Sequence, residues 1–179
     1  MKMVVAANIK HLSARKRYFL FAKAYVDSAA SLCDEILRMS EATWPRATVI
    51  LFLTAHAVEL FLKGALIEKI SSSQLERHEI RKLFEHYIEQ YPAPAFRIDL
   101  PFNPDIKGIK EMISPIFSSE KEIDELIKSM PVESVMYRYP YDKKNEEWRG
   151  AYGFEAISFK KDIEKLRIDF SRIEALIDS

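Results

Sequence analysis

Three side chains that could do chemistry, His56, Glu59 and Lys63, interrupt an otherwise apolar stretch of the sequence. The stretch, residues 47–66, reads ATVILFLTAHAVELFLKGAL. On a helix with 3.6 residues per turn the three side chains fall within about 60° of arc, so they form one narrow polar stripe. A charged stripe on a helix this apolar needs a partner for each charge.

Glu59 and Lys63 admit two interpretations. As residues i and i+4 of a helix they can satisfy each other's charge, which would make them a purely structural pair. They can also form the inner part of a ligand site that residues elsewhere in the chain complete. The two interpretations differ in what a single substitution would change, stability in the first case and ligand affinity in the second.

Other chemistries have weaker support in the sequence. His56 and Glu59 have the spacing of a bundle metal site, but such sites need matching carboxylates from facing helices, and the first and last helices offer no inward Glu-x-x-His. Four glycines, at positions 64, 108, 150 and 153, are too scattered for a phosphate-binding loop. The single cysteine, Cys33, has no neighbour in sequence that would activate its thiol. We therefore expect no metal and no cofactor.

The elements that must position the stripe are helices. Apolar residues recur in alternating steps of three and four, as at Tyr18, Ala22, Tyr25, Ala29, Leu32 and Ile36. The pattern predicts helices over about 13–39, from Thr43 to the serines at 71–73, over 77–90 and over 159–177, with shorter ones over 106–116 and 120–130. Pro45 suits the first turn of the second helix, because its missing N–H is harmless there.

Two segments lack a helical period. Residues 91–105, YPAPAFRIDLPFNPD, contain four prolines, which predict an extended connector over the surface. Residues 135–152 are aromatic and charged, so we expect a loop or short β-hairpin near 133–153, turning at 143–145.

These elements predict an all-α fold, an up-and-down helical bundle of four to five main helices that forms a single domain over 1–179. The second helix should lie at the centre, because only a helix surrounded by others can be apolar on most of its circumference. The 27 basic and 27 acidic side chains balance, so no overall positive field attracts nucleic acid and any RNA site must be local.

The sequence also predicts a cytoplasmic protein. Cys33 is expected to be a small core residue in a reducing compartment, and the apolar start of the chain is too short for a signal peptide. The apolar run at 49–62 is shorter than the roughly 20 residues that span a bilayer, and it contains His56 and Glu59. We therefore expect no association with a membrane.

Three ordered segments resemble the signatures of one known family. They read AHAVELFLKGAL at 55–66, HEI at 78–80 followed by Leu83, and RYP at 138–140. Together they look like HEPN domains (higher eukaryotes and prokaryotes nucleotide-binding). The sequence departs from the family pattern at Gly64, where alanine is usual, at Glu79, where Asp or Asn is usual, and in the long gap before Arg138.

The resemblance implies a ligand site whose members are Glu59, Lys63, His78, Arg138 and Tyr139. It also implies a bundle of four or five helices, frequently a homodimer, that binds a nucleotide or RNA. Many such domains belong to toxin–antitoxin or defence systems, which makes a nucleotidyltransferase or an antitoxin the expected partner.

Some members of the family cleave RNA, and they carry Arg, a polar residue, three further residues and then His. The segment RKLFEH, from Arg81 to His86, has this spacing, and Tyr87 follows it. An imidazole can act as general base or acid at the ribose 2′-OH while a guanidinium stabilises phosphate charge. Residues five apart on one helix lie about 140° from each other, so Arg81 should flank the core and His86 should face solvent.

Three hypotheses therefore remain. The first is a binding module in which Lys63, His78 and Arg138 converge on a nucleotide or RNA phosphate. The second is a metal-independent ribonuclease that uses Arg81 and His86 across a dimer. The third is a helical subunit that binds a partner protein and has no ligand of its own.

Overall fold

A computed structural model describes residues 6–75, 78–102, 119–123, 136–141 and 153–178. Its four main helices are α1 (Ala14–Arg38), α2 (Trp44–Leu66), α3 (Ile80–Gln90) and α4 (Ala156–Ile177). Short helical turns lie at Ala6–Ile9, Ser72–Leu75 and Pro94–Phe96. No β-strand occurs in the described part of the chain, so the predicted all-α fold is confirmed.

The helix ends follow local sequence signals. Ser13 precedes α1 and its hydroxyl accepts a hydrogen bond from the backbone N–H of Lys16 at 3.2 Å. Pro45 occupies the first turn of α2, as expected. Glu155 precedes α4, and hydrogen bonds from Ser158 and Ile157 lower the pKa of its carboxyl. Three boundaries differ from the sequence expectation. α2 ends before the serines at 71–73, α3 begins three residues later than predicted, and α4 begins three residues earlier than predicted.

α2 has neighbours on several sides. It forms a hairpin with α1 through a five-residue connection, it contacts α3, and it contacts α4 less extensively. α4 runs antiparallel to α1, because Lys160 near its start pairs with Asp34 while Arg167 further along pairs with Asp27. The bundle therefore encloses α2, which carries the polar stripe.

α2 is the helix with the most buried side chains. By length and composition alone this 23-residue helix could cross a membrane. The apolar run at 49–62, on which the sequence expectation rested, is too short to do so. However, 72% of the most apolar window of α2 is buried inside the protein. Most of its apolar surface is thus covered within the protein, although Trp44 and Val49 remain exposed.

The buried face of α1 includes Ala22, Ala29 and Ile36 of the predicted stripe. It extends to Phe19 and Val26, which are also buried, whereas Tyr25 and Leu32 are only partly buried against the core. α1 packs against both α2 and α4, so it buries a wider face than one helix neighbour would require. Phe61 of α2 stacks on Phe170 of α4, with ring centroids 4.1 Å apart. The ring of Phe19 in α1 also packs against Phe61, with centroids 5.1 Å apart.

Cys33 of α1 is fully buried, as the sequence predicted for a core residue. Its Sγ donates a hydrogen bond to the carbonyl of Ala156 at 3.3 Å, and burial raises the pKa of the thiol. Residues 120–123 are helical, while the expected helix over 106–116 and most of the loop expected at 133–153 lie outside the described residues.

Candidate functional site

The polar stripe of α2 is buried in the structure. Glu59 is 2% exposed and Lys63 is 7% exposed. Lys63 Nζ lies 2.9 Å from Glu59 Oε1, so the two side chains form the ion pair that their i, i+4 spacing predicted.

His78 shares the same carboxylate oxygen. It lies just before α3, and its Nδ1 is 2.9 Å from Glu59 Oε1. Because an ionised carboxylate can only accept, Nδ1 of His78 donates this hydrogen bond. The His78 side chain is 75% exposed, so it links the buried Glu59 to the protein surface.

His56 approaches the other oxygen of Glu59. Its Nδ1 lies 3.7 Å from Oε2, which is longer than a hydrogen bond, and it has no hydrogen-bond partner among the described residues. The ring is held by two aromatic neighbours. Tyr25 meets it edge-on at 4.6 Å between centroids, and Phe52 lies parallel to it at 5.9 Å.

The surroundings of Glu59 keep it ionised. Burial opposes the charged form, but the contacts with His56, Lys63 and His78 outweigh it and lower the pKa of the carboxyl from 4.5 to about 2. Because 3.7 Å is beyond hydrogen-bond distance, His56 acts on Glu59 through space. The carboxylate thus binds Lys63 and His78 directly, with His56 close by.

Arg138 reaches the stripe through an aromatic ring that the sequence reasoning did not include. Its guanidinium carbon lies 5.0 Å from the ring centroid of Phe52, in a cation–π contact. Phe52, His56, Glu59 and Lys63 follow one helical face, and this spacing could have identified Phe52. Phe52 and Lys63 are 11 residues apart, about 16 Å along a helix, so Arg138 meets the stripe at its opposite end from Lys63.

The structure therefore arranges the predicted site residues in a row. Lys63 and His78 each contact Glu59 directly, and Arg138 approaches this group through Phe52 and His56. Tyr139, next to Arg138, is 53% exposed. With Lys63 and Arg138 positive and Glu59 negative, the row carries one excess positive charge before either histidine is protonated.

Arg81 and His86 both lie on α3. Arg81 Nε is buried and has no hydrogen-bond acceptor in the described ranges. The His86 side chain is 26% exposed, less than the solvent-facing position expected, and its Nδ1 lies 3.4 Å from Glu89 Oε2. The two residues stand on one continuous helix, about 140° apart, so a single chain does not direct them at one substrate atom.

Within the described segments, no group of three or more His, Cys, Asp or Glu side chains is placed to hold a metal ion. Comparisons with protein-family models, with curated proteins and with solved structures find no match.

Proposed function

We propose that this chain is a HEPN-like module that binds a nucleotide or RNA through its phosphate groups. The observation that carries the proposal is the buried carboxylate of Glu59, which holds Lys63 and His78 on a single oxygen. Burying a carboxylate to this extent lowers the stability of the fold unless the charge is paired. A site that must hold several cations is one reason for a protein to retain such a residue.

Each residue has a distinct role in the proposal. Glu59 is a positioning residue, because it is 2% exposed and acts through the side chains that it holds. His78 and Arg138 are the groups that contact phosphate, since both lie at the surface. Tyr139 offers an exposed ring on which a base can stack.

Lys63 contributes mainly charge to this site. Its side chain is 9% exposed and already paired with Glu59, so it supports a phosphate at the edge of the stripe rather than enclosing it. The wider proposal follows the HEPN resemblance. It places the protein in the cytoplasm, as a homodimer in a toxin–antitoxin or defence pair with a nucleotidyltransferase or an antitoxin.

The proposal is tested by measuring binding of ATP and of labelled RNA of mixed sequence to the purified protein. We expect binding that inorganic phosphate weakens by competition and that falls as salt is raised, because phosphate contacts dominate. If the folded protein binds neither ATP nor RNA at low salt, the module is not a nucleotide-binding one, and a ligand-free partner subunit becomes the better account.

A metal-independent ribonuclease is the second candidate. The observation in its favour is that α3 carries a partly exposed imidazole, His86, five residues after an arginine whose Nε lacks an acceptor in the described structure. Because the two side chains diverge on one helix, this activity requires a second copy of the chain to complete the site.

Incubation with mixed RNA in EDTA tests this candidate. Cleavage by the wild type, and its loss in His86→Ala with an unchanged melting temperature, would establish the ribonuclease. RNA that stays intact during long incubation with the dimeric protein would eliminate it.

A further inference from the structure

The proline-rich connector after α3 occupies a specific place in the bundle. α3 packs against α2, and α4 packs mainly against α1. The short turn Pro94–Phe96 contacts α4, so the connector bridges two helices that belong to different sides of the molecule.

Arg172 of α4 binds the backbone of this connector. Its guanidinium donates hydrogen bonds to the carbonyls of Ala95 and Arg97, the latter at 2.6 Å. Asp169, one turn earlier on α4 and largely buried, accepts a hydrogen bond from Arg172 at 2.7 Å and so orients it. A planar guanidinium can reach two carbonyls and a carboxylate at once, which a lysine ammonium on a flexible stem does less well.

The connector is also tied on both sides of Arg172. Asp99 pairs with Lys165 of α4, and this hydrogen bond lowers the pKa of the Asp99 carboxyl. On the α3 side, the hydroxyl of Tyr87 donates to the carbonyl of Phe96 at 2.7 Å, and Ile98 is buried. Side chains from two helices therefore hold the connector, which is not extended throughout as predicted, because Pro94–Phe96 forms a helical turn.

The sequence explains why side chains, and not backbone groups, hold the connector in place. Pro92 and Pro94 have no backbone N–H, and they prevent the segment from continuing α3. Backbone carbonyls in such a segment need donors from elsewhere, and Arg172 supplies two.

A groove of about 420 Å³, partly open to solvent, lies between α3 and the connector. Its walls are mainly aromatic and aliphatic, and they include Phe84, Tyr87, Ile88, Pro94, Phe96 and Ile98. The connector forms one wall of this groove, so its movement away from α4 would widen the groove and expose more of its apolar wall.

We propose that residues 94–99 form a strap that joins α3 to α4 and forms one wall of this groove, with Arg172 as its latch. A strap held by a few side-chain contacts opens at a lower free energy than the bundle unfolds, because it contributes few core residues. The strap is therefore a conformational device whose release widens the apolar groove while the helices stay folded.

Trypsin cleavage after Arg97 measures this opening. The Arg97 side chain is 80% exposed, but its carbonyl is held by Arg172, so the backbone is not free to enter a protease cleft. Cleavage of such a site follows the population of the open form when opening and closing are fast. We expect Arg172→Met to raise the rate of cleavage after Arg97 by about tenfold, which corresponds to about 1.4 kcal/mol.

Arg167→Met is the matched control. Arg167 lies on the same helix, is also a partly exposed arginine and pairs with Asp27 of α1, away from the strap. Both variants lose one arginine, and we expect cleavage after Arg97 in the control to stay at the wild-type rate. Equal cleavage rates in the two variants and the wild type would overturn the latch.

Amide hydrogen exchange separates strap opening from general instability. In Arg172→Met we expect faster exchange in residues 95–100 and unchanged exchange in the centre of α2. Faster exchange in α2 by the same factor would show that the substitution loosens the whole bundle, and it would contradict a local strap. The conservative variant Arg172→Lys keeps the positive charge but lacks the planar guanidinium. We expect its rate of cleavage after Arg97 to lie between those of the wild type and Arg172→Met.

Discussion

Glu59 shows how one buried residue can serve the fold and a site at once. Its carboxylate is shielded from solvent and accepts hydrogen bonds from Lys63 and His78. The sequence left two interpretations open, a self-contained pair with Lys63 or a larger site. The structure adds His78 to the pair and places His56 close by, so the removal of Lys63 leaves the carboxylate with two other basic neighbours.

The first prediction concerns the stability of this pair. We expect Lys63→Met to lower the free energy of unfolding by about 3 kcal/mol, because it removes the closest buried partner of Glu59. The double variant Glu59→Leu with Lys63→Met should recover most of this loss, since no buried charge then remains. Urea unfolding measures both values, and a double variant less stable than Lys63→Met alone would contradict the prediction.

The second prediction concerns pH. The pKa of Glu59 is about 2 in the folded protein and 4.5 in the ordinary reference, so the unfolded chain binds more protons between these values. The contribution of Glu59 to stability is therefore present above about pH 5 and is lost as pH falls towards 2. We expect the stability difference between the wild type and Glu59→Gln to shrink by about 2 kcal/mol between pH 5 and pH 3.

Urea unfolding at pH 5, 4 and 3 measures this difference. Glu85→Gln is the control, because it removes an exposed glutamate of α3. A wild type and a Glu59→Gln variant whose stabilities run parallel from pH 5 to 3 would argue against the ionised, buried carboxylate.

At the scale of helices, Gly64 sets the distance between α1 and α2. A Cβ at position 64 would lie 2.9 Å from the ring of Phe19 and 2.9 Å from Cβ of Tyr18. The Tyr18 atom is attached to the backbone, so α1 itself would have to shift. The close packing of these two helices gives a physical reason for glycine at a position where the resembled family usually has alanine.

The third prediction follows from this contact. Alanine favours a helix over glycine by about 1 kcal/mol, but overpacking costs about 1 to 3 kcal/mol. We expect Gly64→Ala to lower the melting temperature despite its better helix propensity. Gly153→Ala is the control, because among the described residues no atom lies within 4 Å of a Cβ at this position, and the melting temperature of this variant should match that of the wild type. A Gly64→Ala variant at least as stable as the wild type would contradict the close approach.

The helices themselves were largely predictable from sequence. Periodic apolar residues predicted α1, and Pro45 predicted the start of α2, to within a few residues. The contacts between elements were not predictable in the same way. The sequence did not indicate that Arg138 meets Phe52, or that Arg172 holds the connector, because both contacts join residues more than 70 positions apart. Such contacts depend on how helices pack, which a local pattern does not encode.

At the scale of the whole molecule, the balance of charge decides how a nucleic acid could be recognised. The net charge is zero, so attraction to phosphate must come from a local row of cations. The row along α2 carries one excess positive charge and ends at the surface in His78 and Arg138. A module of this kind gains affinity from a few phosphate contacts. Its affinity for RNA should therefore fall less steeply with salt than that of a protein with many such contacts.

The fourth prediction tests whether the two ends of this row contact one ligand. Binding of labelled RNA is compared in His78→Ala, Arg138→Ala and the double variant, with Arg167→Ala as the control for loss of an exposed arginine. Each of the two site variants should weaken binding about fivefold to tenfold, as expected for loss of a charge-assisted phosphate contact. The control should leave binding unchanged.

The affinity of Arg138→Ala for RNA, measured beside that of Arg167→Ala under the same salt, is the most direct test of the central claim. Both changes remove one positive charge from the surface, but only Arg138 contacts the row along α2, at Phe52. Binding that weakens in Arg138→Ala and not in Arg167→Ala is the predicted result. Equal affinities of the wild type and both variants would show that the row along α2 is not the binding site.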